Sequence, residues 1–173
     1  MSHQTAALPI ASVALRILIV LNFLWGLMIL GILGGTIFAH EWTLTALGVT
    51  PYHPIRAILL GLQAVAALGL VVIAFNYMIL KRLVAMVETV KEGDPFVAAN
   101  AYRLHAIAWI MVGMQVLSII IGAIGKAISK PELPIHLDAG FSVNGWVAIL
   151  LTFILARVFA EGTVMRADLQ GTV

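Results

Sequence analysis

The sequence contains no cysteine and very little charge. Disulfides, thiolate nucleophiles and cysteine metal sites are therefore excluded. Only 10% of the 173 residues are charged and 62% are hydrophobic, whereas a typical soluble domain is about 25% charged. Because such a chain cannot supply a polar surface for water, we predict that lipid surrounds most of it.

The sequence motifs of several enzyme classes are also missing. The chain has no G-x-x-x-x-G-K phosphate loop, no H-E-x-x-H zinc motif and no G-x-S-x-G nucleophile elbow. No Asp or Glu lies inside an apolar segment, which argues against proton-coupled transport. We therefore expect a non-enzymatic protein without a cofactor. The net charge of +2 and the lack of a basic run argue against direct contact with nucleic acid.

Four long apolar segments dominate what is present. A helix needs about 20 apolar residues to cross the hydrocarbon core of a bilayer. We predict spans over residues 17–38, 57–80, 104–125 and 139–156. These segments are apolar on every face, unlike the alternating pattern of a transmembrane β-strand. The predicted fold is an all-α integral membrane bundle of four transmembrane helices, forming a single domain over residues 1–173.

The distribution of Lys and Arg predicts the orientation of these spans. Seven of the ten basic residues lie on the side of the two termini and the middle loop, and three lie on the side of the two outer loops. Cytoplasmic loops carry an excess of Lys and Arg. Both termini should therefore be cytoplasmic.

The middle loop, residues 81–103, is predicted to form a cytoplasmic helical hairpin. An apolar stripe with helical spacing runs along its first arm, formed by Leu83, Met86, Val87 and Val90. Gly93 stands where a helix C′ residue belongs, and Asp94 and Pro95 suit the N-cap and the first position of the next helix. The stripe needs a partner, and the chain itself, another protein and the membrane surface all remain open.

Small and polar residues inside the spans predict how the helices associate. Two small-xxx-small pairs suit close helix packing, namely Gly31 with Gly35 and Ser118 with Gly122. Matching depths predict two amide pairs, Asn22 with Asn76 and Gln63 with Asn144. We expect the C-terminal tail, residues 158–173, to form a short helix followed by an extended end.

Two motifs resemble those of a known family. The first is Gly93-Asp94-Pro95-Phe96 followed by Asn100, and the second is Phe159-x-x-Gly162 followed by Asp168-Leu169-Gln170-Gly171-Thr172-Val173. With them the chain resembles the YoaS-like family of small bacterial four-span membrane proteins, a domain of unknown function. The resemblance implies a multi-pass protein of the bacterial inner membrane. Family members are often encoded beside a small helix-turn-helix regulator, so the resemblance also implies that the cytoplasmic face sequesters or signals to such a partner.

Two other functions remain open. The outer loops and their edges contain His40, His53, His136 and Asp138, and imidazole and carboxylate groups are ligands of Zn²⁺ and Cu²⁺. The protein could therefore bind a metal or a small molecule there. It could also be a structural subunit of a membrane complex or a homo-oligomer.

Overall fold

The computed structural model describes residues 4–46, 55–129 and 139–171, and these residues form helices and no strand. The helices are α1 (Gln4–Phe38), α2 (His40–Ala46), α3 (Ile55–Lys91), α4 (Ala98–Ile128) and α5 (Val143–Gly171). All except α2 are long and apolar enough to cross a membrane. The described residues therefore confirm the prediction of an all-α chain with four helices that could span a membrane.

The bounds of α5 differ from the sequence prediction at both ends. The helix begins at Val143 instead of Ala139, and the Ser142 hydroxyl accepts a 3.1 Å hydrogen bond from the Gly145 amide, as an N-cap residue does. The helix then continues to Gly171. The helix of the predicted tail is thus a direct continuation of the fourth span, and residues 172–173 of the predicted extended end lie outside the described residues.

The chain divides into two compact units. The first contains Met1–Leu21, Phe75–Gly113 and Ser142–Val173, and the second contains Asn22–Ala74 and Met114–Phe141. Helices α1, α3 and α4 contribute residues to both units. Helix α5 belongs to the first unit and α2 to the second.

In the second unit, α1 and α3 are joined through backbone carbonyls. The Asn22 side-chain amide donates to the Ile73 carbonyl at 3.1 Å, and the Gln63 amide donates to the Thr36 carbonyl at 3.3 Å. A Cβ added at Gly26 would lie 3.0 Å from the Ile73 side chain, so a glycine allows the close approach. The predicted amide–amide pairs are therefore wrong for these two donors, since each finds a carbonyl on the neighbouring helix.

The two small-residue pairs do not join long helices, contrary to prediction. A Cβ added at Gly31 would meet nothing within 4 Å. Gly35 faces Thr43 of the short helix α2, and Gly122 faces the backbone at Ala139. These glycines make room for non-spanning segments of the second unit.

Ala139 and the next residue belong to a non-helical stretch that is bonded to α4. The Gly140 carbonyl accepts from the Gln115 amide at 3.3 Å and from the Ser118 hydroxyl at 3.1 Å. The Ser118 hydroxyl also accepts from the Gly140 amide at 3.0 Å. Irregular backbone at membrane depth is tolerated only where protein groups or water satisfy it. Gln115 and Ser118 supply those groups here.

We predict that Ser118→Ala lowers the free energy of unfolding in detergent by about 0.6–1.7 kcal/mol, because both bonds to Gly140 are lost. The matched control is Thr45→Ala, since the exposed Thr45 hydroxyl donates to the Glu41 carbonyl of its own helix at 2.8 Å. Denaturant titration followed by circular dichroism measures both. Equal stability of the two variants would contradict the assigned role of Ser118.

Candidate functional site

Helix α3 ends in a Schellman motif at the turn that leads to α4. Gly93 has a φ of 87°, a conformation that favours glycine. Its amide donates to the Val90 carbonyl at 3.1 Å, and the Asp94 amide donates to the Thr89 carbonyl at 3.0 Å. These two bonds satisfy carbonyls that the helix end would otherwise leave open. The prediction that Gly93 occupies the C′ position is confirmed.

Helix α4 begins later than the sequence predicted. Its first residue is Ala98, so Asp94 and Pro95 do not occupy its N-cap and first position. Both have other partners: the Pro95 carbonyl accepts from the Asn100 amide at 2.9 Å, and the Asp94 carboxylate pairs with the Arg166 guanidinium. These contacts hold the chain non-helical before α4.

Asn100 lies at the centre of the turn and is fully buried, with 0% exposure. Its amide nitrogen donates to the Thr89 hydroxyl at 2.7 Å and to the Pro95 carbonyl at 2.9 Å. Its oxygen accepts from the Arg103 guanidinium at 2.7 Å. The Thr89 hydroxyl in turn donates to the Met86 carbonyl at 2.8 Å. Because a buried amide that loses its partners is costly, this network fixes α4 against the end of α3.

The second sequence motif lies directly on the first. The rings of Phe96 and Phe159 have centroids 5.3 Å apart. A Cβ added at Gly162 would lie 2.8 Å from the Phe96 ring, so glycine permits this approach of α5. One turn further along α5, Arg166 forms its ion pair with Asp94. We call these five residues, Asp94, Phe96, Phe159, Gly162 and Arg166, the turn cluster.

The N-terminal part of α1 also contacts the end of α3 in the first unit. The Lys91 ammonium donates to the Ser12 hydroxyl at 2.8 Å, and that hydroxyl donates to the Pro9 carbonyl at 3.0 Å. Arg16 and Glu88 form a longer ion pair of 3.9 Å. Polar contacts therefore tie α1 to α3 at the same end of α3 as the turn cluster.

One ring of the turn cluster and several other side chains of α5 are exposed. Phe96 itself is 41% exposed, and Val164 and Met165 of α5 are also exposed. Arg157 and Glu161 form an exposed ion pair on α5 at 2.7 Å. With 3.6 residues per turn, Arg157, Glu161 and Val164 lie on the side of α5 that faces away from Phe159 and Gly162.

The predicted hairpin stripe is neither fully buried nor exposed. All four of its residues have intermediate burial, namely Leu83, Met86, Val87 and Val90. Asp168 is exposed on α5, while Leu169 and Gly171 are described as helical backbone only. The stripe lies on the last turns of α3 before the chain reaches the turn.

The metal prediction falls largely outside the described residues. His53, His136 and Asp138 lie beyond them, and of His40 only the backbone, at the start of α2, is described. Among the side chains that the structure describes, no group of three His, Asp or Glu residues could hold a metal ion. The outer-loop metal site stays a prediction.

The sequence analysis did not identify three residues of the turn cluster and of the Asn100 network. Arg103 stands three residues after Asn100, a helical spacing that places both on one face and could have indicated their bond. Arg166 continues the spacing of Phe159 and Gly162 along α5 in the same way. Nothing in the sequence indicated the role of Thr89, because a single hydroxyl residue near a helix end is common.

The second unit contains an open apolar cavity of about 380 Å³. Its lining consists of aliphatic side chains and one glycine from α1, α3 and α4, namely Ile29, Ile32, Leu62, Val65, Ala66, Gly69, Val72, Ile73 and Ile121. The volume falls within the range of about 300–1,000 Å³ that is typical of small-molecule sites. This lining offers no charged group, so it suits only a hydrocarbon.

Comparison of the chain with protein-family models, with curated proteins and with solved structures finds no match.

We predict that Asn100→Leu lowers the free energy of unfolding by about 1–3 kcal/mol, because Arg103, Thr89 and the Pro95 carbonyl lose their buried partner. The control is Asn144→Leu, since Asn144 is exposed at the start of α5. Denaturant titration of both variants in the same detergent measures the difference. A loss in Asn144→Leu as large as that in Asn100→Leu would refute the central role of Asn100.

We predict a coupling of about 0.3–1 kcal/mol between Asp94 and Arg166 in a double-mutant cycle, because their side chains are 35% and 40% exposed and solvent weakens the pair. Screening at high salt should reduce it. The more exposed Arg157–Glu161 pair is the comparison and should couple less. The prediction fails if Asp94→Asn and Arg166→Gln have additive effects on stability at low salt.

Proposed function

We propose that this chain is a non-enzymatic, multi-pass protein of the bacterial cytoplasmic membrane, with both termini in the cytoplasm. We further propose that the turn cluster is the docking surface for a cytoplasmic regulatory protein. The four long apolar helices support the membrane location. The excess of basic residues at the proposed cytoplasmic side supports the orientation.

The main support for the proposed docking role is that residues of the two sequence motifs contact each other. Phe96 and Asp94 come from the first motif, and Phe159 and Gly162 come from the second, yet they form one cluster. These are the residues on which the YoaS-like resemblance rests. The proposal therefore assigns one surface to both motifs and a small helix-turn-helix regulator as its expected partner.

The exposure of Phe96 favours docking over a purely structural role. The turn itself is closed by the Schellman motif at Gly93 and by the Asn100 network. Phe96 remains 41% exposed although its ring packs on Phe159 and Gly162. An aromatic ring that stays partly accessible gives a partner an apolar anchor, and aromatic residues are enriched at binding hot spots. The exposed Met165 follows Gly162 by three residues on α5, so it lies one helical turn from the glycine that the ring contacts.

We predict that a photoreactive amino acid at Met165 cross-links a cytoplasmic protein in cells, and that Phe96→Ala abolishes this adduct by removing the apolar anchor. Tyr102→Ala is the matched control, because Tyr102 is an exposed aromatic residue on α4. Mass spectrometry of the adducts identifies the partner. Adducts that are unchanged by Phe96→Ala, or that form with lipid alone, would reject the docking surface.

A second candidate function rests on the apolar cavity of the second unit. Its aliphatic lining and its size suit the hydrocarbon chain of a lipid or another small apolar molecule. This candidate corresponds to the small-molecule alternative but uses the helices instead of the outer loops.

For this candidate we predict that a photoreactive fatty acid labels the cavity and that Ala66→Leu reduces the labelling, because the larger side chain fills the space. Ala66 is buried and lines the cavity, whereas Ala57 is exposed on the same helix, so Ala57→Leu is the control. Peptide mapping after illumination locates the label. Equal labelling in both variants would exclude the cavity as the binding site.

A further inference from the structure

Helix α2 folds across the end of α1 at a single residue. Ala39 is the only residue between α1 and α2, and it accepts from the Thr43 amide at 2.9 Å while its own amide donates to the Gly35 carbonyl at 2.9 Å. A Cβ added at Gly35 would lie 2.5 Å from the Thr43 hydroxyl. In a straight helix, residues eight positions apart are separated by about 12 Å along the axis. The contact therefore requires a sharp bend at Ala39.

The length of the connection restricts the direction of α2. Two antiparallel helices need a loop of about 2–5 residues between them, and here Ala39 alone connects α1 and α2. Helix α2 can therefore neither continue α1 nor run back along it. It crosses the end of α1 at a steep angle.

The side chains at this bend are unusually exposed for their type. Phe38 is 88% exposed and Trp42 is 75% exposed. Within α2, Glu41 and Thr45 lie four residues apart on one exposed face, and Trp42 lies on the adjacent one. The buried Thr43 faces α1. The exposed side chains of α2 therefore include the polar Glu41 and Thr45 as well as the aromatic Trp42.

We propose that α2 lies in the plane of the bilayer interface, with Phe38 and Trp42 inserted at the boundary between headgroups and acyl chains. This inference rests on α1 crossing the membrane, as the proposed function requires. A helix that crosses the end of a spanning helix lies along the membrane surface. Phe38 is the last residue of α1 and extends its exposed apolar surface, to which Leu30 and Ile37 belong, and Trp42 is the exposed aromatic residue of α2. Trp favours this boundary, and Glu41 can remain among the headgroups.

Tryptophan fluorescence in lipid vesicles tests the placement of α2. The full chain is prepared with Trp42 as its only tryptophan, by the changes Trp25→Phe, Trp109→Phe and Trp146→Phe, and is reconstituted in brominated phosphatidylcholine. We expect bromines next to the headgroup to quench Trp42 more than bromines near the chain methyl end. A second variant that keeps only Trp25 is the depth control, because Trp25 lies about 20 Å from Phe38 along α1. Its quenching should be strongest with the deep bromines.

A pair of glycine variants tests the bend itself in the Trp42-only chain. Gly35→Leu collides with Thr43 and should change the depth profile of Trp42, whereas Gly31→Leu meets open space and should leave it unchanged. If deep bromines quench Trp25 while only a water-soluble quencher such as iodide quenches Trp42, α2 is not interfacial. The inference about α2 then fails, but the proposed membrane function does not. If Trp25 is not quenched by deep bromines, the span fails and the proposed membrane function fails with it.

Discussion

The buried amide of Asn100 is the constraint on which the first unit depends. It satisfies the Pro95 carbonyl and the Thr89 hydroxyl and receives the Arg103 guanidinium, so that α4 has one position relative to the end of α3. That position places Phe96 where the glycine of α5 can meet it. Without the fixed turn, the two motifs would have no common surface on which the proposed docking could take place.

In the second unit, the lipid environment explains which contacts join the helices. Hydrophobic burial does not hold helices together in lipid, so polar donors and close backbone approach must do so. Asn22 and Gln63 both reach carbonyls on neighbouring helices, and Ser118 satisfies both polar backbone groups of Gly140. The same requirement explains why Gly26 lies against Ile73 of α3 and Gly61 against Ile128 of α4, where a larger residue would hold the helices apart.

The sequence predicted the features that depend on local pattern and missed those that depend on partners. Long apolar runs gave the four helices, and the position of Gly93 gave the end of α3. The start of α4 was misjudged because Asp94 pairs with Arg166, which is distant in sequence. The amide partners were also misjudged, because matching depth cannot distinguish a side-chain amide from a carbonyl such as that of Ile73.

The central claim is that the end of α5 packs on the α3–α4 turn, and proximity cross-linking tests it most directly. Because the chain has no cysteine, the pair Phe96→Cys and Gly162→Cys can be joined by a short thiol-reactive reagent, with a protease site inserted between α4 and α5. The account predicts that the treated chain stays in one piece after cleavage, whereas the pair Phe96→Cys and Val164→Cys separates. Separation of the first pair, or equal cross-linking of both, would contradict it.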